Sequence, residues 1–311
     1  MRKTTLLKKL INDPEILVMP GVYDALSAKI AQMLGFKAVQ ASGYGFAASL
    51  LGVPDVGLVT MTEMVNHTRG IVQAVDIPVM ADGDTGFGNA INVIRTVREF
   101  EQAGAAGINL EDQVFPKRCG HMEGKQIIPL EEAVLKIEAA VSARTDPDFV
   151  INARTDAIAV AGVEEAIRRG NAYAKAGADL IFVEAPNSVE DIKRVIQSID
   201  APVSINMLEG GKTPLVTIEQ LEKFGAARVS CPLTTIFAAA RGVYNALKVL
   251  KEKGTTREDR DLLIDFPEFV KLVGLPEIIE LEKRFLPKAI IEEKYGNKNK
   301  EKEGSHCETT G

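Results

Sequence analysis

Eight short apolar runs punctuate the chain, at Ile16–Pro20, Ala38–Ser42, Ile77–Asp82, Gly107–Glu111, Phe149–Arg154, Leu180–Glu184, Pro202–Asn206 and Arg228–Pro232, and they lead into polar or acidic residues. Within them the apolar positions are consecutive, as in Leu180-Ile181-Phe182-Val183, which predicts parallel strands covered on both faces. Nearly every gap holds a helical pattern. Several of these helices end on a glycine suited to a left-handed cap, at Gly35, Gly104, Gly177 and Gly225, just before the next run. Strands and helices alternating in this number predict an α/β fold, a (β/α)8 TIM-type barrel over residues 1–254, with function at the carboxyl ends of the strands.

Beyond the eighth run the pattern predicts a helix over Thr234–Lys253, a turn at Gly254, and further helical segments around Arg257–Ile264 and Pro267–Phe285. Their apolar positions, from Phe266 to Phe285, exceed what a barrel exterior needs, so residues 255–291 are expected to form an extension for contacts between subunits. From residue 292 the composition turns to Lys, Asn, Glu, Gly, Ser and Thr. Residues 292–311 therefore read as a solvated, disordered tail, with no function for His306 or Cys307.

Composition narrows the partners. A net charge of −6 argues against a nucleic-acid groove or an anionic membrane surface, while leaving small anions open wherever cations cluster locally. The three cysteines, Cys119, Cys231 and Cys307, make no disulfide framework. With no apolar segment of signal or membrane-spanning length, a soluble cytoplasmic protein is the expectation.

Candidate chemistry gathers at the predicted strand ends. Asp82 and Asp84 stand two apart before the turn Thr85-Gly86-Phe87-Gly88, Glu111 and Asp112 recur at the next strand end, and Asp55 follows the second strand. Several carboxylates facing one cavity repel unless a hard cation sits among them, and Mg²⁺, with Mn²⁺ as a substitute, suits oxygen ligands that leave waters in place. In Lys117-Arg118-Cys119-Gly120-His121, two cations and an imidazole surround one thiol, and the expectation is a lowered pKa at Cys119. Arg154 and Glu184 end the fifth and sixth strands, as a carboxylate clamp with its orienting acid or as a structural ion pair. The turn Ser42-Gly43-Tyr44-Gly45 offers backbone N–H groups and a hydroxyl to a carboxylate. His67, inside a helical stretch, reads as a packing or surface residue.

The loop Lys117–His121 resembles the lyase signature of the isocitrate lyase and phosphoenolpyruvate mutase superfamily. Asp82-Gly83-Asp84, Glu111-Asp112-Gln113 and Ala153-Arg154-Thr155-Asp156 stand in order around it, so the resemblance covers residues from about 16 to 285. It implies a Mg²⁺-dependent carbon–carbon lyase acting on a small 2-hydroxy dicarboxylate, in a homotetramer whose subunits exchange carboxyl-terminal helices. The implied metal residues are Asp82, directly, and Asp84, Asp55 and Glu111 through waters. Ser42, Gly43, Tyr44, Lys117, Cys119, Gly120, His121, Arg154, Glu184 and Asn206 would bind substrate, and Cys119 would protonate the carbanion. The general base stays open between Tyr44, Arg154 and a water in the metal's shell.

Within the superfamily, the 2-methylisocitrate lyases carry an arginine where this chain has Phe237, and a tyrosine where it has Gln40. Asn206–Pro214 looks instead like the 2,3-dimethylmalate lyases and the petal-death type, and oxaloacetate hydrolases share that segment. Those hydrolases tend to place a serine at the position of Pro232. These features imply a 2-alkylmalate lyase, with 2,3-dimethylmalate cleaved to pyruvate and propionate as the favoured reaction. The alternatives are a 2-methylisocitrate lyase, an oxaloacetate hydrolase, or a barrel that kept the fold as a binding protein.

Overall fold

A computed structural model describes residues 1–296. Its first compact unit, residues 1–244, is built on a closed barrel of eight parallel strands in the order of the chain. They are β1 (Leu17–Val22), β2 (Val39–Ala41), β3 (Val79–Asp82), β4 (Gly107–Glu111), β5 (Val150–Thr155), β6 (Leu180–Val183), β7 (Val203–Asn206) and β8 (Arg228–Cys231). All eight runs form strands. The bounds move by a residue or two, because hydrogen-bonded pairing and not apolarity ends a strand. β1 starts one residue later than its run and continues past Pro20 to Val22, pairing with β2 on one side and β8 on the other.

Helices between the strands bury one stripe each. In Ala90–Gln102 the buried residues are Val93, Thr96, Val97 and Phe100, the spacing of one helical face. Asp24 with Ser27 and Thr60 with Glu63 form reciprocal caps that satisfy the first free N–H groups of their helices. The four capping glycines adopt the left-handed conformation, with φ from 87° to 98°. A helix that the apolar runs do not announce, Lys3–Ile11, presses Leu7 and Ile11 into a cluster with Leu17, Ala38, Ala106, Val150 and Leu180. These lie at the amino ends of the strands, so the helix seals the face opposite the functional one.

The second unit begins at Asn245, inside the helix Thr234–Lys253 and ahead of the boundary expected at residue 254. The segment Arg257–Ile264 is helical only as a 3-10 turn at Arg260–Leu262. Pro267–Phe285 is two helices, Phe266–Leu272 and Leu275–Phe285, because Gly274 takes φ 91° between them. A last helix, Lys288–Tyr295, enters the stretch read as a tail; residues 297–311, with His306 and Cys307, lie outside the described residues. Among the described residues no helix is long and apolar enough to cross a membrane.

Candidate active site

The carboxyl ends of the strands surround a cleft of about 540 Å³, counting its open mouth. Ser42, Gly43, Tyr44, Asp55, Asp82, Lys117, Cys119, Gly120, His121, Arg154, Glu184 and Asn206 all line it. Asp84 and Glu111 are buried outside that lining.

Asp82 ends β3, where its Oδ2 accepts from Gly43 N–H and its Oδ1 from Asp84 N–H, both at 3.1 Å. A Cβ on Gly43 would stand 2.5 Å from Asp82 Oδ2, so the turn after β2 makes this approach only as glycine. The two N–H groups expected to face a ligand carboxylate are thus committed, Gly43 to Asp82 and Gly45 to Ser42 Oγ.

Lys117 Nζ sits 2.7 Å from Asp55 Oδ1 and 2.9 Å from Asp84 Oδ1, the second contact lying off the hydrogen-bond direction. Burial alone would pull this ammonium down, but Asp84, Asp55 and Glu111 hold its pKa well above the ordinary lysine value. Burial pushes Asp84 up to about 7 even with Lys117 beside it, and raises Glu111 well above the usual carboxylate range. Register places Glu111 opposite Arg154, whose Nε is 3.3 Å from Glu111 Oε2, and leaves Glu111 Oε1 buried without a hydrogen-bond partner.

Asp112 does not join this group. Successive strand-end side chains point to opposite faces, and Asp112 turns outward to accept from Thr155 Oγ1 and Tyr173 OH at 2.7 Å and from Arg169 Nη1 at 3.0 Å.

The loop after β4 is held by the Gln113 side chain and by the backbone of the loop that carries Asp55. Gln113 receives Arg118 N–H on Oε1 at 3.0 Å and donates Nε2–H to Arg118 O at 2.8 Å, while Cys119 N–H donates to Asp55 O at 3.0 Å. A Cβ on Gly120 would meet Glu184 Cγ at 2.3 Å and Arg154 Nη2 at 2.6 Å. His121 Nε2 faces Glu184 Oε1 at 2.8 Å, and its Nδ1 accepts from Lys212 N–H at 2.9 Å.

The lowered pKa expected at Cys119 is wrong in sign. Burial is the largest effect and pushes the thiol up to about 11; Asp55 and Glu184 add to it, and the His121 backbone N–H and Arg154 only partly oppose it. Counting charges in the sequence misled because Lys117 faces Asp55 and Asp84, and His121 faces Glu184.

Arg154 reaches Glu184 Oε2 at 3.4 Å, but its strongest partner is Asp156, which accepts from Nε at 2.9 Å and Nη2 at 3.1 Å. Asp156 was not singled out, although the spacing of two that flagged Asp82 and Asp84 applies equally to Arg154 and Asp156. Lys125, also passed over, contacts Asp156 Oδ1 at 3.3 Å and donates to Gly120 O. Asn206 donates to Glu184 Oε2 at 3.1 Å and accepts from Ser230 Oγ. His67 packs, its ring edge-on to Phe46 at 4.4 Å and its Nε2 at 2.5 Å from Tyr23 O.

Residues 7–251 match the phosphoenolpyruvate phosphomutase family. The 2,3-dimethylmalate lyase of Eubacterium barkeri is 48% identical over 92% of this chain and 99% of its own length. The petal death protein of Dianthus caryophyllus is 49% identical over 93% and 92%. A crystal structure of phosphonopyruvate hydrolase complexed with oxalate and Mg++ superposes with a TM-score of 0.84 at 32% identity, covering 92% of this chain and all of that one. The chain belongs to the phosphoenolpyruvate mutase and isocitrate lyase superfamily. Within it, the chain is an enzyme of the carbon–carbon lyase kind.

Proposed function

We propose that this enzyme cleaves a 2-alkylmalate, 2,3-dimethylmalate in the first instance, to pyruvate and propionate. The observation that carries this reading is the half-buried Cys119 thiol, kept protonated in the same cleft as Asp82, Arg154, Glu184 and His121. A retro-aldol cleavage needs an acid for the carbon it releases, and a protonated thiol facing the cleft is one.

The carboxylate group fits a hydrated divalent cation. Glu111 Oε1 is an orphaned buried acceptor, Asp84 stays near neutrality in its titration, and the donor set is all oxygen. Among the described residues no three acidic, His or Cys side chains are placed to hold an ion unaided. Asp82, Asp55, Asp84 and Glu111 would hold magnesium there. Bound there, magnesium supplies Lewis-acid polarisation of the substrate's hydroxyl and adjacent carboxylate.

The chain's own residues account for the remaining chemistry. As the substrate hydroxyl gives its proton to a water in the cleft, the C2–C3 bond breaks, C2 becomes the carbonyl of pyruvate, and the electron pair passes to C3 and its carboxylate. Cys119 gives its proton to C3. The thiolate left behind faces the His121 N–H and Arg154, the groups that favour its charged form, until it is reprotonated. Tyr44 has its phenol pKa raised, first by burial and then by Cys119 and Asp55, so it serves as a hydrogen-bond donor and not as a phenolate base.

Substrate size follows from Phe237. It stands one helical turn beyond the cleft-lining Leu233, with its ring 6.4 Å from that of Tyr44, and brings no cation for a third carboxylate. We infer a homotetramer in the cytoplasm, the assembly resting on apolar side chains that the single chain exposes, among them Phe266 at 77% and Phe285 at 67%.

The test is a screen of the purified protein against 2,3-dimethylmalate, 2-methylisocitrate, isocitrate and oxaloacetate, with Mg²⁺ and after chelation. Pyruvate from dimethylmalate, lost with chelator and restored by Mg²⁺, is the expected result. Preferred turnover of oxaloacetate to oxalate would replace this reading with hydrolysis.

A further inference from the structure

Three cations line the cleft: Lys117, Arg154 and Arg228. The first two touch carboxylates, Lys117 those of Asp55 and Asp84 and Arg154 those of Glu111, Asp156 and Glu184. Arg228, at the start of β8 and fully buried, has no carboxylate within ion-pair distance among the described residues. Its hydrogen bonds go to neutral acceptors, Gln40 Oε1 at 2.9 Å and Met80 Sδ at 3.1 Å. With the Asn152 amide turned to satisfy both its ends, Asn152 Oδ1 adds a third at 2.8 Å from Nη1. Arg228 Nε has no partner.

An unpaired guanidinium in a barrel interior is costly, and a neutral side chain of similar volume would fill the space at lower cost. Gln40 fixes it without neutralising it. The Gln40 amide is anchored by donating Nε2–H to Ala41 O at 3.0 Å and Met80 O at 3.2 Å, which leaves Oε1 turned to the guanidinium. Positive charge thus remains under the cleft with no carboxylate in contact with it, and an anion entering the cleft adds to its compensation.

We propose that Arg228 is a specificity determinant: a positioning residue that acts through its field from beneath the cleft, and selects dianionic over monoanionic 2-hydroxy acids. The inference deepens the proposed lyase reading and rests on it for the ligand's class. During cleavage, negative charge grows on the second carboxylate, so the same field favours the transition state over the bound substrate.

The probes are malate and 2-hydroxybutyrate, which share the hydroxy-acid head and chain length and differ in a carboxylate against a methyl. Binding of each is measured by calorimetry with Mg²⁺ in the full chain, for the natural protein and for Arg228→Met, Arg228→Gln and Arg228→Lys. A charge acting at several ångströms through an effective dielectric near 20 is worth roughly 10- to 100-fold in affinity. The malate to 2-hydroxybutyrate preference should fall by that factor in the Met and Gln variants and recover in Lys, with melting temperatures unchanged or higher. With the substrate identified by the screen above, kcat should fall more than KM rises.

Equal losses for both ligands in all three variants, with lower melting temperatures, would make Arg228 purely structural. An unchanged preference in whichever of Met or Gln folds would also overturn the proposal. Binding needs no turnover, so an absence of lyase products and an absence of charge discrimination are read separately.

Discussion

Replacing Asp156 by asparagine keeps the shape of the side chain and removes its charge, which isolates the pair that fixes Arg154 in the cleft. Asp156 is fully buried and accepts two nearly parallel bonds from the guanidinium, at 2.9 and 3.1 Å, with Lys125 at 3.3 Å from the same carboxylate. Leaving a buried charge without its partner costs about 3 to 5 kcal/mol. Arg154 keeps Glu111 at 3.3 Å and Glu184 at 3.4 Å, so the expected loss in Asp156→Asn is smaller, about 2 to 3 kcal/mol. Thermal melting should show it as a drop of roughly 4 to 10 °C.

The pH dependence carries a sign. Burial raises the Asp156 pKa, but Arg154 and Lys125 more than offset it and hold the carboxyl below its ordinary value. A depressed folded-state pKa gives stability that is present above the unfolded value, about 3.9, and lost as the pH falls through the folded one. The gap between the natural protein and the Asp156→Asn variant should therefore be full at pH 6 and close below pH 4. Activity should suffer too, because Arg154 is then shared between Glu111 and Glu184 alone; kcat/KM should fall about 10- to 100-fold. Equal melting temperatures at pH 6 with unchanged kcat/KM would refute the assignment of Asp156 as the residue that orients Arg154.

Cys119→Ser should lower kcat by about 10² to 10⁴ with little change in KM, and in D₂O the natural enzyme should place one deuterium stereospecifically at C2 of propionate. Because the proposed role needs the thiol protonated and burial pushes it up to about 11, Cys119 should impose no loss of activity on the alkaline side until about pH 10; a fall near pH 8 set by this residue would show a lowered pKa after all. Phe237→Arg should raise 2-methylisocitrate turnover relative to dimethylmalate, whose natural advantage is expected to be at least roughly tenfold, since an uncompensated carboxylate costs more than a lost methyl contact. Static light scattering should give the mass of four chains, and a monomer would end the subunit-contact reading of the exposed Phe266 and Phe285.

Which parts were legible in the sequence follows from the range of the forces involved. Strands, caps and the order of the barrel come from local periodicity and from glycines whose φ is fixed by a neighbour or two, so each apolar run led to a strand and Gly35, Gly104, Gly177 and Gly225 to left-handed caps. The residues that converge on the cleft could be named because a barrel brings strand ends together whatever the helices do. What failed depended on direction and dielectric. The thiol of Cys119 is governed by desolvation, which no count of neighbouring lysines reveals. The helix Lys3–Ile11 was passed over because only Leu7 and Ile11 of its apolar residues are buried, and they gain meaning once the strands' lower ends exist to receive them. Gln40 was legible as a departure from the family, but its purpose needed Arg228, 188 positions away in the chain.

Glu111 and Asp112 show why neighbouring carboxylates at one strand end are not duplicates. Glu111 faces inward, unsatisfied at Oε1, and belongs with the charges of the cleft. Asp112 faces outward and collects Tyr173 OH, Thr155 Oγ1, Arg169 and, at 2.9 Å on Oδ1, the backbone N–H of Asp156. That last bond fixes the corner after β5 on which the partner of Arg154 is carried. Burial raises the Asp112 pKa, and with Asp156 nearby adding to that, the carboxylate needs its donors to remain charged. The outward network thus sets the inward geometry: Asp112 orients the backbone of Asp156, Asp156 orients Arg154, and Arg154 lines the same cleft as the thiol proposed above as the proton donor. A barrel permits this because alternate residues of one strand end serve two environments, a wet cleft and a dry sheath, less than one helix diameter apart.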